Sequence, residues 1–200
     1  MADLLRENSF DDEVFDGLDL RAVDLGGKEL HGCTFRNCKL SETRWRGTRL
    51  EDCAFEGCDL TRADPTGLAV RGVKFVSSKL MGVDWTHVSD FPDLSFVECN
   101  LEYASFVGLA LRKTRFERCV MHQGVFSRTD LRNAVMDGCK LAGARFEDCD
   151  LQGASLLRST GAFVDPRVNR VKGLKIPQDA AVAGDDWRKC IVDGRMEPAM

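Results

Sequence analysis

Residues 33 to 60 read "CTFRNCKLSETRWRGTRLEDCAFEGCDL", and four times a cysteine stands two places before a large apolar residue. The cysteines recur at intervals of five and of twenty, a spacing open to metal binding, disulfides, catalysis or a structural repeat. A frame drawn outward from this stretch decides between them. Every fifth residue from Phe10 to Trp85 and, after a slip of one residue, from Phe96 to Leu156 is large and apolar at 28 of 29 positions, Pro65 being the exception. The place two before each centre is usually small or apolar, and eight of the nine cysteines fall there, leaving only Cys190 outside. Twelve of the 18 glycines lie two after a centre, where a sharply turning chain needs freedom from Cβ restriction.

A period of five suits neither a helix at 3.6 nor a flat strand at 2. It suits a coil that turns a corner every five residues and closes a square every twenty. Reading each twentieth residue then gives columns of like side chains: Phe15, Phe35, Phe55 and Phe75; Leu20, Leu40, Leu60 and Leu80; Phe106, Phe126 and Phe146. Such coils stack roughly 4.8 Å apart, as in other solenoids.

Composition fits this reading and narrows the function. A chain of 200 residues with 44% hydrophobic residues can bury a substantial core, and its formal charge of -4 says little about partners. The opening "MADLLRENSFDDEVF" has no basic segment followed by an apolar run, and no stretch reaches the ~20 apolar residues of a membrane span. The expectation is a cytoplasmic protein with no membrane partner, its cysteines reduced. They are then small hydrophobes under the Phe/Leu ladder, Cys33 on Cys53, Cys38 on Cys58, and Cys99, Cys119 and Cys139 in a row. The sharper alternative is tetrahedral zinc on Cys33, Cys38, Cys53 and Cys58.

The run "AVMDG CKLAG ARFED CDLQG ASLLR", residues 134 to 158, resembles the pentapeptide-repeat family and its pattern A(D/N)LXX. The likeness covers about residues 8 to 158. It implies an all-β fold, a right-handed quadrilateral β-helix with Leu and Phe ladders inside. The expected organisation is an N-terminal cap over 1–9, a first stack over 10–85, a break over 86–95, a second stack over 96–160, and a C-terminal cap and dimerisation tail over 161–200.

Departures from the repeat are the candidate functional sites. In "VDWTHVSDFPDLSF", residues 83 to 96, the frame slips by one and Pro92 removes a ladder donor. A bulge or short loop is expected there, either a kink between stacks or a loop that faces a partner. Its candidate contacts are Trp85, Thr86, His87, Asp90, Phe91, Pro92, Asp93, Glu98 and Glu102, with no Lys or Arg between residues 84 and 102. In the column Leu25, Trp45, Pro65, Trp85 the indoles either pack beside the proline or tilt outward, and Leu68 at a normally small position signals local distortion. Beyond residue 160, Phe163, Val164, Val168, Val171, Leu174 and Ile176 are expected to cover the last coil.

No catalytic constellation stands out. His31, His87 and His122 fall at turns or in the slip, and the phosphate-loop, dinucleotide, zinc-protease and nucleophile-elbow motifs are missing from the sequence. No enzyme, cofactor or metal is expected. The stretch "FVDPRVNRVKGLKIP" resembles the C-terminal segment of the pentapeptide-repeat proteins that protect type II topoisomerases, including albicidin-resistance and fluoroquinolone-protection types. That resemblance implies a homodimer closed through the C-terminal end. Its implied partner is DNA gyrase or topoisomerase IV, bound in part by mimicry of DNA rather than by binding nucleic acid. Residues 1 to 165 carry 27 acidic and 21 basic groups, so any mimicry has to be local. A generic scaffold for another protein partner is the alternative.

Overall fold

The computed structural model describes residues 4–89, 91–177, 181–182 and 191–192. Within them the chain is an all-β solenoid of short parallel strands, each two to four residues long, with no helix among the described residues. All 29 frame centres are buried, Pro65 among them. Residues flanking a centre face outward, as the alternation of a strand requires.

The corners explain the five-residue period. Two places after a centre the backbone enters the left-handed region at 28 of the 29 corners, with φ between 48° and 73°, and only His87 departs. Glycine takes this conformation freely, Asn37, Asp52 and Asn133 are of the types that tolerate it, and the coil also imposes it on Arg62, Tyr103 and Arg118. One such side chain even dictates the next corner: a Cβ on Gly32 would lie 2.0 Å from the Asp12 carboxylate.

The Asp or Asn one place before a centre has a structural task as well. Its Oδ1 accepts the N–H two residues on, closing an Asx turn at Asp24, Asp59, Asp64, Asp84, Asn100, Asp130, Asp150 and Asp165, with N···O between 2.9 and 3.2 Å. This is the physical content of the second position of the repeat.

Aromatic stacking runs the length of the coil. Phe15, Phe35, Phe55, Phe75, Phe96 and Phe116 form one column with successive centroids 4.8 to 5.3 Å apart. Trp85, Phe106, Phe126 and Phe146 continue the neighbouring column. Both Trp45 and Trp85 pack inward at 2% exposure. The Trp45 indole N–H donates to Thr43 Oγ1 at 2.9 Å, whereas Trp85 has Val83 in that place and its N–H is without a partner among the described residues. A small void of about 20 Å³ lies under Pro65, where the column lacks a ring.

The eight described cysteines are free thiols, buried to 1% exposure or less. They do more than fill space. The thiol at the small position reaches the centre carbonyl one coil back, as Cys38 does to Phe15 at 3.2 Å and Cys139 to Phe116 at 3.2 Å. Thr48 and Ser159 place a hydroxyl in the same contact, to Leu25 and to Met136. This equivalence is why Cys, Ser and Thr interchange there. No group of His, Cys, Asp and Glu among the described residues is placed to hold a metal ion.

Burial raises the Cys33, Cys53 and Cys149 thiols, Cys53 to about 11. Cys38 and Cys58 are buried alike, each donating its thiol to a centre carbonyl one coil back. Burial of the sulfur decides reactivity for that pair. We expect none of these eight thiols to react with a disulfide reagent over minutes in the native state, and all to react in denaturant. Rapid native labelling of several of them would overturn the packing account.

The coil runs on past residue 160. Bridges join Lys140 to Thr160, Asp150 to Arg170 and Ser155 to Lys175, and strands Phe163–Val164 and Lys175–Ile176 pair in parallel with Ala181–Val182 and Ile191–Val192. Val164, Val171, Leu174 and Ile176 point inward as expected of residues covering the core. Phe163 and Val168 do not; they are 52% and 49% exposed, because they occupy outward strand and corner positions.

Candidate interaction site

The slip is confined to one face. Val73–Val76 pairs with Leu94–Val97 at an offset of 21 residues, and bridges from Lys79 to Asn100 and from Asp84 to Ser105 carry the same offset. Three faces therefore pass the irregular coil in register. On the fourth, the sheet of Ser9–Asp11, Glu29–His31, Arg49–Glu51 and Ala69–Arg71 stops. Residues 88–89 and 91–93 cross it as a bulge, pinned by Ser89 N–H to the Leu68 carbonyl at 2.9 Å and by Asp93 N–H to the Val70 carbonyl at 3.3 Å.

The expected contact residues divide sharply here. Trp85 is in the core, edge-on to Phe75 and Phe96 at 5.7 Å from each, so it supports the site from beneath and presents no face to a partner. Pro92 is buried as well. Its ring has no N–H to give the ladder, so turning it inward leaves no donor stranded. Thr86 N–H is spent on the Asp84 turn at 3.0 Å, and His87 is exposed while its carbonyl accepts Gly67 N–H at 2.8 Å. Asp90 lies outside the described residues. Phe91 is 80% exposed with φ of 56°, a left-handed conformation that bulky side chains rarely adopt. Asp93 beside it is exposed.

Glu98 and Glu102 are brought to other faces of the same coil. Glu98 accepts from Arg118 at 3.0 Å and from Ser77 Oγ at 3.3 Å. Glu102 is half-buried between His122 Nδ1 at 3.1 Å and Asn100 Nδ2 at 3.2 Å. The eight described residues are thus spread around the rod rather than gathered in one patch, and Phe91 with Asp93 is the outward point of the bulge.

Elsewhere the outer faces neutralise themselves. A base and an acid twenty residues apart face each other across adjacent coils, as in Asp24 with Arg44, Arg36 with Glu56, Glu42 with Arg62, and Glu51 with Arg71. Arg132 holds the Asp130 carboxyl well below the usual carboxylate range, and burial only partly opposes it. Charge is nonetheless unequal along the rod. Residues 1–109 hold 20 acids and 12 bases, residues 110–175 seven acids and 13 bases. The ladder pairs were not legible until the twenty-residue coil was assumed; with it, i and i+20 charges could have been matched by eye.

Two family models match the chain: residues 28–106 match the pentapeptide repeat region, and residues 125–158 match pentapeptide repeats described as eight copies. No curated protein matches it. Among solved structures it is similar to HetL, a pentapeptide repeat protein involved in heterocyst differentiation regulation from the cyanobacterium Nostoc sp. strain PCC 7120. The identity is 16% over 94% of this chain and 86% of HetL, with a TM-score of 0.60. It is also similar to full-length QnrB1, a plasmid-mediated fluoroquinolone resistance protein, at 16% identity over 94% of this chain and 92% of that one, TM-score 0.56. A trypsin-treated form of QnrB1 gives 18% identity over 90% and 94%, TM-score 0.54. At such identities the likeness is one of fold.

Proposed function

The chain belongs to the pentapeptide-repeat family, and from that premise we propose that it is a non-enzymatic, cytoplasmic interaction protein that binds DNA gyrase or topoisomerase IV and protects it from a topoisomerase-poisoning antibiotic. The observation that carries this reading is the coil of residues 84 to 102. It bears Asp84, Asp90, Asp93, Glu98 and Glu102 with no Lys or Arg of its own, at the level where the offset between coils changes from 20 to 21 residues. Duplex DNA presents a charge every ~1.7 Å, and a site built for it is basic. An acidic belt on a narrow rod fits such a site locally. The self-neutralised faces do not, so mimicry is restricted to this belt and to the acid-rich first coils. Support from relatives is the shared fold with QnrB1 and the resemblance of residues 163 to 177 to the C-terminal segment of protecting members. A homodimer closed through the C-terminal end belongs to the same proposal.

A scaffold for a different protein is the second reading. It is favoured by the ion-pair ladders, which leave most of the rod near neutral, and by the equal likeness to HetL. Purified protein added to gyrase or topoisomerase IV with a cleavage-stabilising inhibitor separates the two. We expect supercoiling or decatenation to be preserved, and cleavage complexes reduced, in a saturable way. No binding to and no protection of either enzyme would leave the scaffold.

A further inference from the structure

The frame of the second stack, carried back one unit from Phe96, reads Ser89-Asp90-Phe91-Pro92-Asp93. That unit has a small residue, an Asp and a large apolar centre in the places the repeat demands, so Phe91 is in phase to enter the core. It stands outside instead, 80% exposed. Two residues account for this. Val88 is the extra residue between this unit and Trp85, and it takes the buried place at 9% exposure. Pro92 follows the centre and has no N–H for an Asx turn with the preceding acid.

The core has been filled without the ring. Leu68 and Leu109, on the coils below and above the bulge, are large residues at the position two before a centre, where Cys, Ala, Ser or Thr is commonest, and both are buried. A phenylalanine held in water contributes no burial to the free protein.

We infer that the one-residue slip serves to turn Phe91 outward as the aromatic anchor of the partner interface. Its pocket is apolar with a basic rim, since the coil around Phe91 supplies carboxylates and no Lys or Arg. This rests on the topoisomerase reading for the identity of the partner. Anchors of this kind contribute most where an aromatic enters a pocket that excludes water.

The test uses the full chain with Phe91→Ala and Phe91→Trp, measured for melting temperature and for affinity to purified gyrase and topoisomerase IV. Phe91→Ala is expected to melt with the wild type and to bind at least about tenfold more weakly, while Phe91→Trp keeps affinity within about threefold. An alanine variant that binds as the wild type overturns the anchor alone. A fall in melting temperature of several degrees also overturns it, by showing the ring to be part of the core. Failure of the wild type to bind either enzyme overturns the topoisomerase reading, and the anchor with it.

Discussion

Deletion of Asn133 should destroy the C-terminal third of the protein. Asn133 is a corner residue with φ of 57°, and its removal moves every later residue one place along the frame. Asp137 and Glu147 would then take the centres now held by Met136 and Phe146, and Lys140, Arg145 and Asp150 the small positions beside them. Leaving an unpaired charge in an apolar interior costs at least several kcal/mol, and five such burials exceed the roughly 5 to 15 kcal/mol that a domain has in total. An extra residue can loop out; a missing one leaves a side of the square too short. We expect insoluble protein, or a loss of about a third of the β signal in circular dichroism with a melting temperature lowered by more than about 15 °C. A variant melting within a few degrees of the wild type would show that register is not what holds the coil.

The bulge at residues 88 to 93 is the natural counter-case, since there the chain carries one residue too many and three faces keep register. What could be read beforehand follows from this. Centres, small positions and corners are imposed by one backbone geometry repeated down the rod, so periodicity alone located them, down to the stacking of Phe35 on Phe55 at 4.8 Å. The two indoles were ambiguous because Pro65 offers space and surface exposure equally in sequence; packing against Phe rings settled it inward. The bulge was visible as an interval of eleven between Trp85 and Phe96, but which residues turn outward was not. Val88 and Pro92 are both buried and Phe91 between them is not, an order that the apolar surface of the three residues does not foretell. Trp85 was expected among the contacts for its position in sequence, whereas the column of rings above and below it keeps it inside. At the other end, the coil continues to residue 176 although the repeat fades near 158. Parallel pairing tolerates Val171 and Leu174 in place of the regular units, and Phe163 and Val168, hydrophobic by type, stand at outward positions.

The largest functional effect is expected from removing the slip itself. Deleting Val88 puts Ser89, Asp90 and Phe91 in the small, acidic and central places of a regular unit, five residues after Trp85. Leu109→Ala in the same chain makes room for the incoming ring on the coil above, because overpacking otherwise costs about 1 to 3 kcal/mol. The Phe10 face would then run unbroken from Val70 to Leu111, and the variant should melt at or above the wild-type temperature. Protection of gyrase or topoisomerase IV should fall below detection, because one change withdraws the aromatic ring and flattens the acidic coil into a regular face. Charge reversal at Asp93 and Glu98 should weaken binding less, and more at low salt than at 0.15 M, since both side chains are exposed and screened over ~8 Å. Supercoiling and cleavage-complex assays on wild type and variant, over a matched concentration series, measure this. Full protection by a folded Val88-deleted variant would place the interface on the regular faces, where the ladders of i and i+20 ion pairs would have to open to meet a partner.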